Sequence, residues 1–384
     1  MKKFYTLLFT IVLAELSLAA SPWTQKATFG GPGRHRSFGF SIGNRGYIGG
    51  GWIGVQFWDD FWEYDPGTNT WTQKADLPTG GIVSPCGFAI GGKGYFTLGL
   101  DYNYNYNTDL WEYNPQNNVW TAKAQWPSFG TYGTEAFVIG DRAYLGDQGS
   151  YDMYVYDQSQ DQWIYTPTGY YFQWDEVALS LNGKGYMATA QTGNQLWRYD
   201  PGTNFWTQLA TMPAGGITES SGFVAGGRIY VGTGQWYADG TRLREFWEFN
   251  PATNSWRGVN ELPGNERDDA SAFSIAGKGY IGTGTNGINM QDFWEFDPQY
   301  VTGNDESMEE KLPVSIYPNP VTEYVMIGLP PGLNDAWLEM FDIGGKKILS
   351  TRLSASATRL DRGDIAPGSY IYKITDDTGT LDSG

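Results

Sequence analysis

Short runs that alternate between apolar and polar positions fill most of this chain, and tight-turn residues join them in pairs. Phe40-Ser41-Ile42-Gly43-Asn44-Arg45-Gly46-Tyr47 is the first such pair. Elsewhere Gly91-Gly92 and Asn182-Gly183 supply two-residue turns of the hairpin kind. The pair recurs, ending at Tyr47, Tyr95, Tyr144, Tyr186, Tyr230 and Tyr280, at intervals of 42 to 50 residues. A third run follows each hairpin. It reads Phe61-Trp62-Glu63-Tyr64-Asp65-Pro66 in its clearest copy and returns at Trp111, Trp197, Trp247 and Trp294, with a weaker copy at Tyr154-Val155-Tyr156-Asp157. Proline stops this strand, and Thr68-Asn69-Thr70-Trp71-Thr72 then turns into a fourth. Each unit is therefore four short strands with one aromatic face that it cannot bury alone.

Units of this length, stacked radially so that Tyr and Trp of one sheet press on the next, make a β-propeller. Six hairpins and six third strands are present, but only five fourth strands follow them, because the last third strand ends at Pro298. Trp23-Thr24-Gln25-Lys26-Ala27 has the fourth-strand pattern and is expected to close the ring beside Trp294.

Composition narrows the class. The 384 residues carry 42 Asp+Glu against 25 Lys+Arg, a net charge of -17 that opposes a non-specific grip on nucleic acid or on an anionic membrane. The single cysteine, Cys86, allows no internal disulfide and reads as a buried thiol. Lys2 and Lys3, the apolar run Phe4 to Leu13 and the small residues Ser17 and Ala19 read as a signal peptide over residues 1–20, since Glu15 cuts the run short of a membrane span.

The doubled glycine after a strand, the tyrosine, and the tryptophan at fixed distance resemble the kelch repeat, over residues 21–300. The resemblance implies a six- or seven-bladed propeller, mostly among binding proteins with a few enzymes; the count here gives six. Blade three departs from the pattern, with Tyr154 and Val155 for Trp-Glu and Gln158 for proline. The whole chain thus reads as all-β: a six-bladed kelch β-propeller followed by a small immunoglobulin-like β-sandwich.

An acidic linker at 301–311 precedes that second domain at 312–384. Its strands are expected at Tyr324–Ile327, Trp337–Phe341, Lys346–Arg352 and Tyr370–Thr375. Tyr317-Pro318-Asn319-Pro320, Phe341-Asp342-Ile343-Gly344-Gly345-Lys346 and Leu360 through Gly368-Ser369-Tyr370 resemble the type A sorting domain of the type IX secretion system. That family directs folded cargo across the outer membrane. The resemblance implies a protein secreted or held at the outer cell surface, with the secretion machinery as one partner. The family pattern continues into a further strand beginning in Gly-Lys, so the sequence is expected to be a fragment.

Loops from the fourth strand to the next first strand, and from second to third, share one face of a propeller. Eleven residues before each repeat tyrosine stand Arg36, Ser84, Gly133, Asp175, Glu219 and Asp269, which differ while their neighbours repeat. Variation on a repetitive scaffold marks a candidate site. Arg34, His35, Glu176, Arg267 and Asp268 are close in sequence, and Trp52, Trp58, Tyr102, Tyr104, Tyr106, Trp174 and Trp236 fall in the same loops. Rings beside carboxylates suit a sugar, so the candidate ligand-binding face comprises Arg34, Arg36, Trp52, Trp58, Trp174, Asp175, Glu219, Trp236, Arg267 and Asp269.

Catalytic chemistries find little material. The copper oxidases that share the kelch scaffold need two histidines, and His35 stands alone. No phosphate-binding glycine loop occurs. The string Asp101 to Asp109 alternates oxygen ligands as a calcium loop does, but Tyr106 stands where the sharp turn needs glycine. No catalytic residue, metal or cofactor is expected. The leading expectation is an exported monomeric binding protein for a glycan or a surface protein. The alternative is a sugar-active enzyme of the sialic-acid mutarotase type, with Arg36, Arg267 and Glu219 holding a carboxylate and moving a proton.

Overall fold

A computed structural model describes residues 21–190, 193–300 and most of 315–383, omitting 318–323, 330–334, 343–345, 354–356, 362, 364, 366–369 and 376–379. The expected signal peptide and the acidic linker lie outside the described residues. The chain divides into two compact units, 1–304 and 305–384.

The first unit is a β-propeller. Among the described residues it holds six four-stranded antiparallel sheets, each running outward from a first strand on the ring axis. Blade 1 is Phe38–Ile42, Arg45–Gly49, Phe61–Asp65 and Thr70–Gln73. The innermost strands of the other blades are Cys86–Ile90, Ala136–Ile139, Val177–Leu181, Ser221–Ala225 and Ser271–Ile275. Each lies against the next, and the sixth lies against the first, so the ring is closed. The outer strand of blade 6 comes from the other end of the chain. Trp23–Gln25 pairs antiparallel with Phe293–Phe296, Trp23 opposite Phe296.

The repeated residues have assignable physical roles. A Cβ on Gly46, Gly94, Gly185 or Gly279 would come within 2.1–2.4 Å of a Phe ring (Phe273, Phe40, Phe137 and Phe223), so glycine before the repeat tyrosine is what lets blades approach. Blade 4 offers Leu179 where the others offer Phe, and blade 5 then carries Ile229 in place of that glycine. Tyr47, Tyr95, Tyr230 and Tyr280 donate to Glu63, Glu112, Glu248 and Glu295 across the second and third strands. Those glutamates are scaffold.

A reciprocal latch joins successive blades at the outer rim. Trp71 Nε1 donates to Ala27 O at 3.2 Å, while the Ala27 N–H donates to Asn69 Oδ1 at 2.9 Å. The same pair of bonds links Trp120 and Asn118 to Ala75, Trp163 and Asp161 to Ala124, and Trp256 and Asn254 to Ala210. The Asn or Asp must be left-handed to reach back (Asn69 φ 54°), which Asn and Asp tolerate best among side-chain-bearing residues. Between blades 3 and 4 the acceptor position is Pro167, which has no N–H, and Trp206 Nε1 is buried without a partner.

The second unit is a β-sandwich of two sheets. One holds Ser315–Tyr317, Tyr324–Gly328 and Ala357–Asp361. The other holds Ala336–Asp342, Lys347–Leu353, Tyr370–Thr375 and Thr380–Ser383. Ile327 of the first sheet and Leu338, Leu353 and Ile374 of the second share one core. Three of these strands, Ser315–Tyr317, Ala357–Asp361 and Thr380–Ser383, are additions to the four read from the pattern. Among the described residues no helix is long and apolar enough to cross a membrane.

Candidate functional site

The six variable positions form a ring at one mouth of the propeller. Arg36, Ser84, Gly133, Asp175, Glu219 and Asp269 all have left-handed backbone, with φ between 50° and 72°. The Ser84 N–H donates to Arg36 O, Gly133 N–H to Ser84 O, Arg36 N–H to Asp269 O, and Asp269 N–H to Glu219 O, at 2.9–3.1 Å. Blades 5, 6, 1, 2 and 3 thus hold each other's first turn, and these bonds support the left-handed backbone of Arg36, Ser84 and Asp269. Sequence spacing alone carries no sign of this backbone state.

All six line a cavity with about 500 Å³ of empty space that opens to solvent, together with Thr134, Glu135, Glu176 and Ser220. Arg36 is its cation, and it is committed. Its Nε donates to Asp269 Oδ2 at 2.9 Å and its Nη2 to Glu219 Oε1 at 2.8 Å. Burial pulls the guanidinium pKa down, but the carboxylates of Asp269 and Glu219 outweigh it and hold the pKa well above its ordinary value. Burial pushes the Asp269 carboxyl up, against the pull of Arg36, and Glu219 rises for the same reason. Gln235 Nε2 donates to the second oxygen of Glu219 at 2.6 Å.

Two more carboxyls line the same cavity. Burial pushes Glu176 up to about 8; it accepts from the Tyr170 hydroxyl and from the Gln173 N–H at 2.9 Å. Glu135 is exposed to the channel solvent. Both line a smaller adjoining hollow of about 190 Å³ with Gln148, Gln173 and Phe172. The mouth thus offers acceptors and neutral carboxyl donors around one neutralised cation. Glu219, Asp268 and Asp269 each place an oxygen within 4.8 Å of the others, but the Arg36 guanidinium is bound to two of them and Arg242 to the third, at 2.6 Å. Arg242 and Gln235, which hold these acids in place, had no signal in the repeat.

Several expected site residues lie elsewhere. Arg34 and Arg267 are wholly buried. Arg34 makes a two-pronged bond to Asp60 at 2.5 and 2.8 Å and donates to Gly50 O; Arg267 does the same with Asp292, at 2.7 and 2.6 Å, and with Thr283 O. Trp62 and Trp294 donate to the same two carboxylates at 2.7 Å. These arginines are one repeated structural device, and no ligand reaches them. Trp52 stacks on Phe57, and Trp58 lies under the Arg34 guanidinium, both with buried indole N–H groups. Trp236 packs on the core of blades 4 and 5. Trp174 keeps 38 % of its surface exposed, beside Asp175. None of these four indoles lines the cavity. His35 is bonded to Asn289 Oδ1 at 2.7 Å, and burial lowers its pKa, so it is neutral near pH 7. Asp101 uses one oxygen to accept the N–H groups of Asn103 and Asn105.

A β-propeller with a solvent-open polar mouth, joined to a small β-sandwich, defines the class. Residues 315–383 match the family model described as a secretion system C-terminal sorting domain. The protein is therefore secreted or held at the outer cell surface by the type IX route, and it engages the secretion machinery. The chain is also similar to a solved structure titled "Structure of YjhT", with 16% identity and a TM-score of 0.59 over 69% of this chain and 95% of that one. At that identity the likeness establishes the propeller fold alone. No curated protein sequence matches the chain.

Proposed function

We propose that this is an exported kelch-type binding protein whose propeller mouth, in a single chain, takes the hydroxyl-rich or amine-bearing end of a glycan. The carrying observation is the charge state of the cavity. Glu135, Asp175, Glu219 and Asp269 line it, and Arg36 is already matched by two carboxylates. A ligand carboxylate would have to displace Asp269 or Glu219 from Arg36, and among the described residues no other Lys or Arg lines the cavity to receive it. Sugar hydroxyls and amines can donate to the same oxygens.

The same observation weakens the sialic-acid mutarotase reading, because Arg267 is buried and Arg36 is taken. One feature keeps a sugar-active enzyme as the second reading: burial holds Glu176, on the cavity wall, up to about 8, where a carboxyl can exchange a proton near neutral pH. A glycan array with the purified protein tests the first reading. Neutral or amino-sugar termini are expected to bind, and Glu219→Gln with Asp269→Asn is expected to weaken them at least tenfold. Selective binding of acidic sugars would overturn it. Turnover of any bound sugar, followed by proton NMR, would favour the second.

A further inference from the structure

Of the surface hydrophobics beyond the mouth, one group stands together. Tyr102, Tyr104 and Tyr106 are 66, 63 and 54% exposed, and Phe129 is 98% exposed. They are aromatic rather than aliphatic, and they are held. The Tyr102 and Tyr104 rings pack edge-to-face with Phe57, with centroids at 5.8 and 5.4 Å, and Phe57 itself is buried. Tyr106 stacks on Tyr132 at 6.3 Å and 19°. Gly130, next to Phe129, lies so close to Tyr106 that a Cβ there would be 2.9 Å from the tyrosine's own Cβ.

The hairpin that carries the three tyrosines is rigid. Asp101 accepts from Asn103 N, Asn105 N and Asn105 Nδ2, and Asp101 N–H donates back to Asn105 O at 3.0 Å. Tyr104 is held at φ 61°, a conformation that leaves its ring on the surface. Asparagines alternate with the rings along Tyr102-Asn103-Tyr104-Asn105-Tyr106-Asn107, and they tie the loop together: Asn105 Nδ2 donates to Asp101 Oδ2, and Asn107 Nδ2 donates to Leu98 O and Asp109 O. No Lys or Arg occurs in residues 46–73, 94–122 or 124–141, the segments that supply this surface.

We infer that this tyrosine platform is a second carbohydrate subsite, for the chain of a neutral β-linked polysaccharide. Rings held in place by their neighbours pack against the C–H faces of pyranoses at low entropic cost. An exposed aromatic patch of this extent marks an interaction site. The lack of cations, in a chain of net charge -17, rules out a polyanion as its occupant. The inference rests on reading the loop face as glycan-binding, and it assigns a different part of that face from the mouth.

The test is depletion of the full chain from solution by microcrystalline cellulose, chitin and insoluble β-1,3-glucan, with alginate gel as the anionic control. At least one neutral polymer is expected to retain the protein. The triple variant Tyr102→Ala, Tyr104→Ala, Tyr106→Ala is expected to lose retention at least tenfold, and Phe129→Ala, which touches almost nothing and cannot harm the fold, at least threefold. Phe205→Ala, at an exposed ring on the outer strand of blade 4, should leave polymer retention unchanged. No retention by any neutral polymer, retention by alginate alone, or undiminished retention of both platform variants overturns the inference. Loss in Phe205→Ala with the platform variants unaffected would also overturn it while leaving the mouth reading intact. Polymer retention without any short-glycan binding would sink the mouth reading and leave the platform.

Discussion

Ring closure by the two ends of the propeller chain can be tested at one side chain. Trp23 is 5% exposed and meets Phe223, Phe246 and Phe296 at 6.2, 5.0 and 4.8 Å. Its Nε1 donates to Asn260 O at 2.9 Å, the last latch of the rim. Trp23→Ala removes a buried indole from three aromatic neighbours on blades 5 and 6, a loss of roughly 3–5 kcal/mol. At roughly 2–4 °C per kcal/mol for domains of 150–250 residues, and toward the lower figure for a larger one, the propeller's melting temperature should fall by about 6–10 °C. Trp23→Phe keeps most of the packing and loses the hydrogen bond, so it should cost about 1–2 kcal/mol. Trp206→Phe is the internal control, because its Nε1 has no partner and only the packing changes. Thermal melts followed by near-UV circular dichroism on the full chain, with the three variants side by side, read the result. A Trp23→Ala melt within 2 °C of the parent would refute the closure, and equal costs for Trp23→Phe and Trp206→Phe would refute the latch.

Other expectations follow from the buried charges. Asp60→Ala strands the wholly buried Arg34 and should destabilise by about 3–5 kcal/mol in urea melts, while leaving any glycan affinity of the surviving folded protein unchanged. Glu176 holds its proton up to about 8 in the fold against an ordinary 4.5, so between those values the folded state binds a proton that the unfolded state has lost, and stability falls as pH rises. Glu176→Gln should flatten that slope and make the protein relatively more stable at pH 8 than the parent; an unchanged slope counts against the assignment. Arg36→Met leaves Glu219 and Asp269 facing each other without their cation, so carboxyl 13C titration should show the pair titrating at higher pH than in the parent, and unmoved signals would contradict the bridging role.

Much of the scaffold was legible because it repeats. Glycine before the repeat tyrosine, the Asn two residues before the rim tryptophan and the Glu opposite the tyrosine each meet the same steric or hydrogen-bonding demand in several blades, and a demand met several times leaves a period. Counting back eleven residues reaches the six positions that line the cavity, since backbone register is also periodic. Partnership was not legible. Arg34 and Arg36 look alike in a string of three basic residues, yet one lies under a Trp ring with Asp60 and the other bridges Asp269 and Glu219 across the channel. Which indole is packed against its own protein was equally hidden: Trp52, Trp58 and Trp236 sit in loops by sequence, and half-buried against a ring, a guanidinium or the core by structure.

The places where the repeat fails are gathered on one side. Between blades 3 and 4 Pro167 removes a latch, and Trp206 is left stacked on Tyr170 with its N–H unmet. Tyr144 and Tyr186 face Val155 and Arg198 instead of a glutamate. The same sector holds the buried Glu176 and Tyr170 pair, the channel carboxyl Glu135, the smaller hollow and the exposed Tyr151, Tyr171 and Trp174. A sequence that keeps a stabilising device in most blades and omits it in one sector has given up local stability there, and such departures concentrate at sites under another demand. A six-fold scaffold has no intrinsic front, so these broken repeats, with the tyrosine hairpin of blade 2 beside them, give the mouth its orientation. The side of blades 2 to 4 thus carries exposed rings and the Glu176 carboxyl, whereas the side of blades 5 and 6 carries the ion pairs Arg242–Asp268 and Arg36–Asp269.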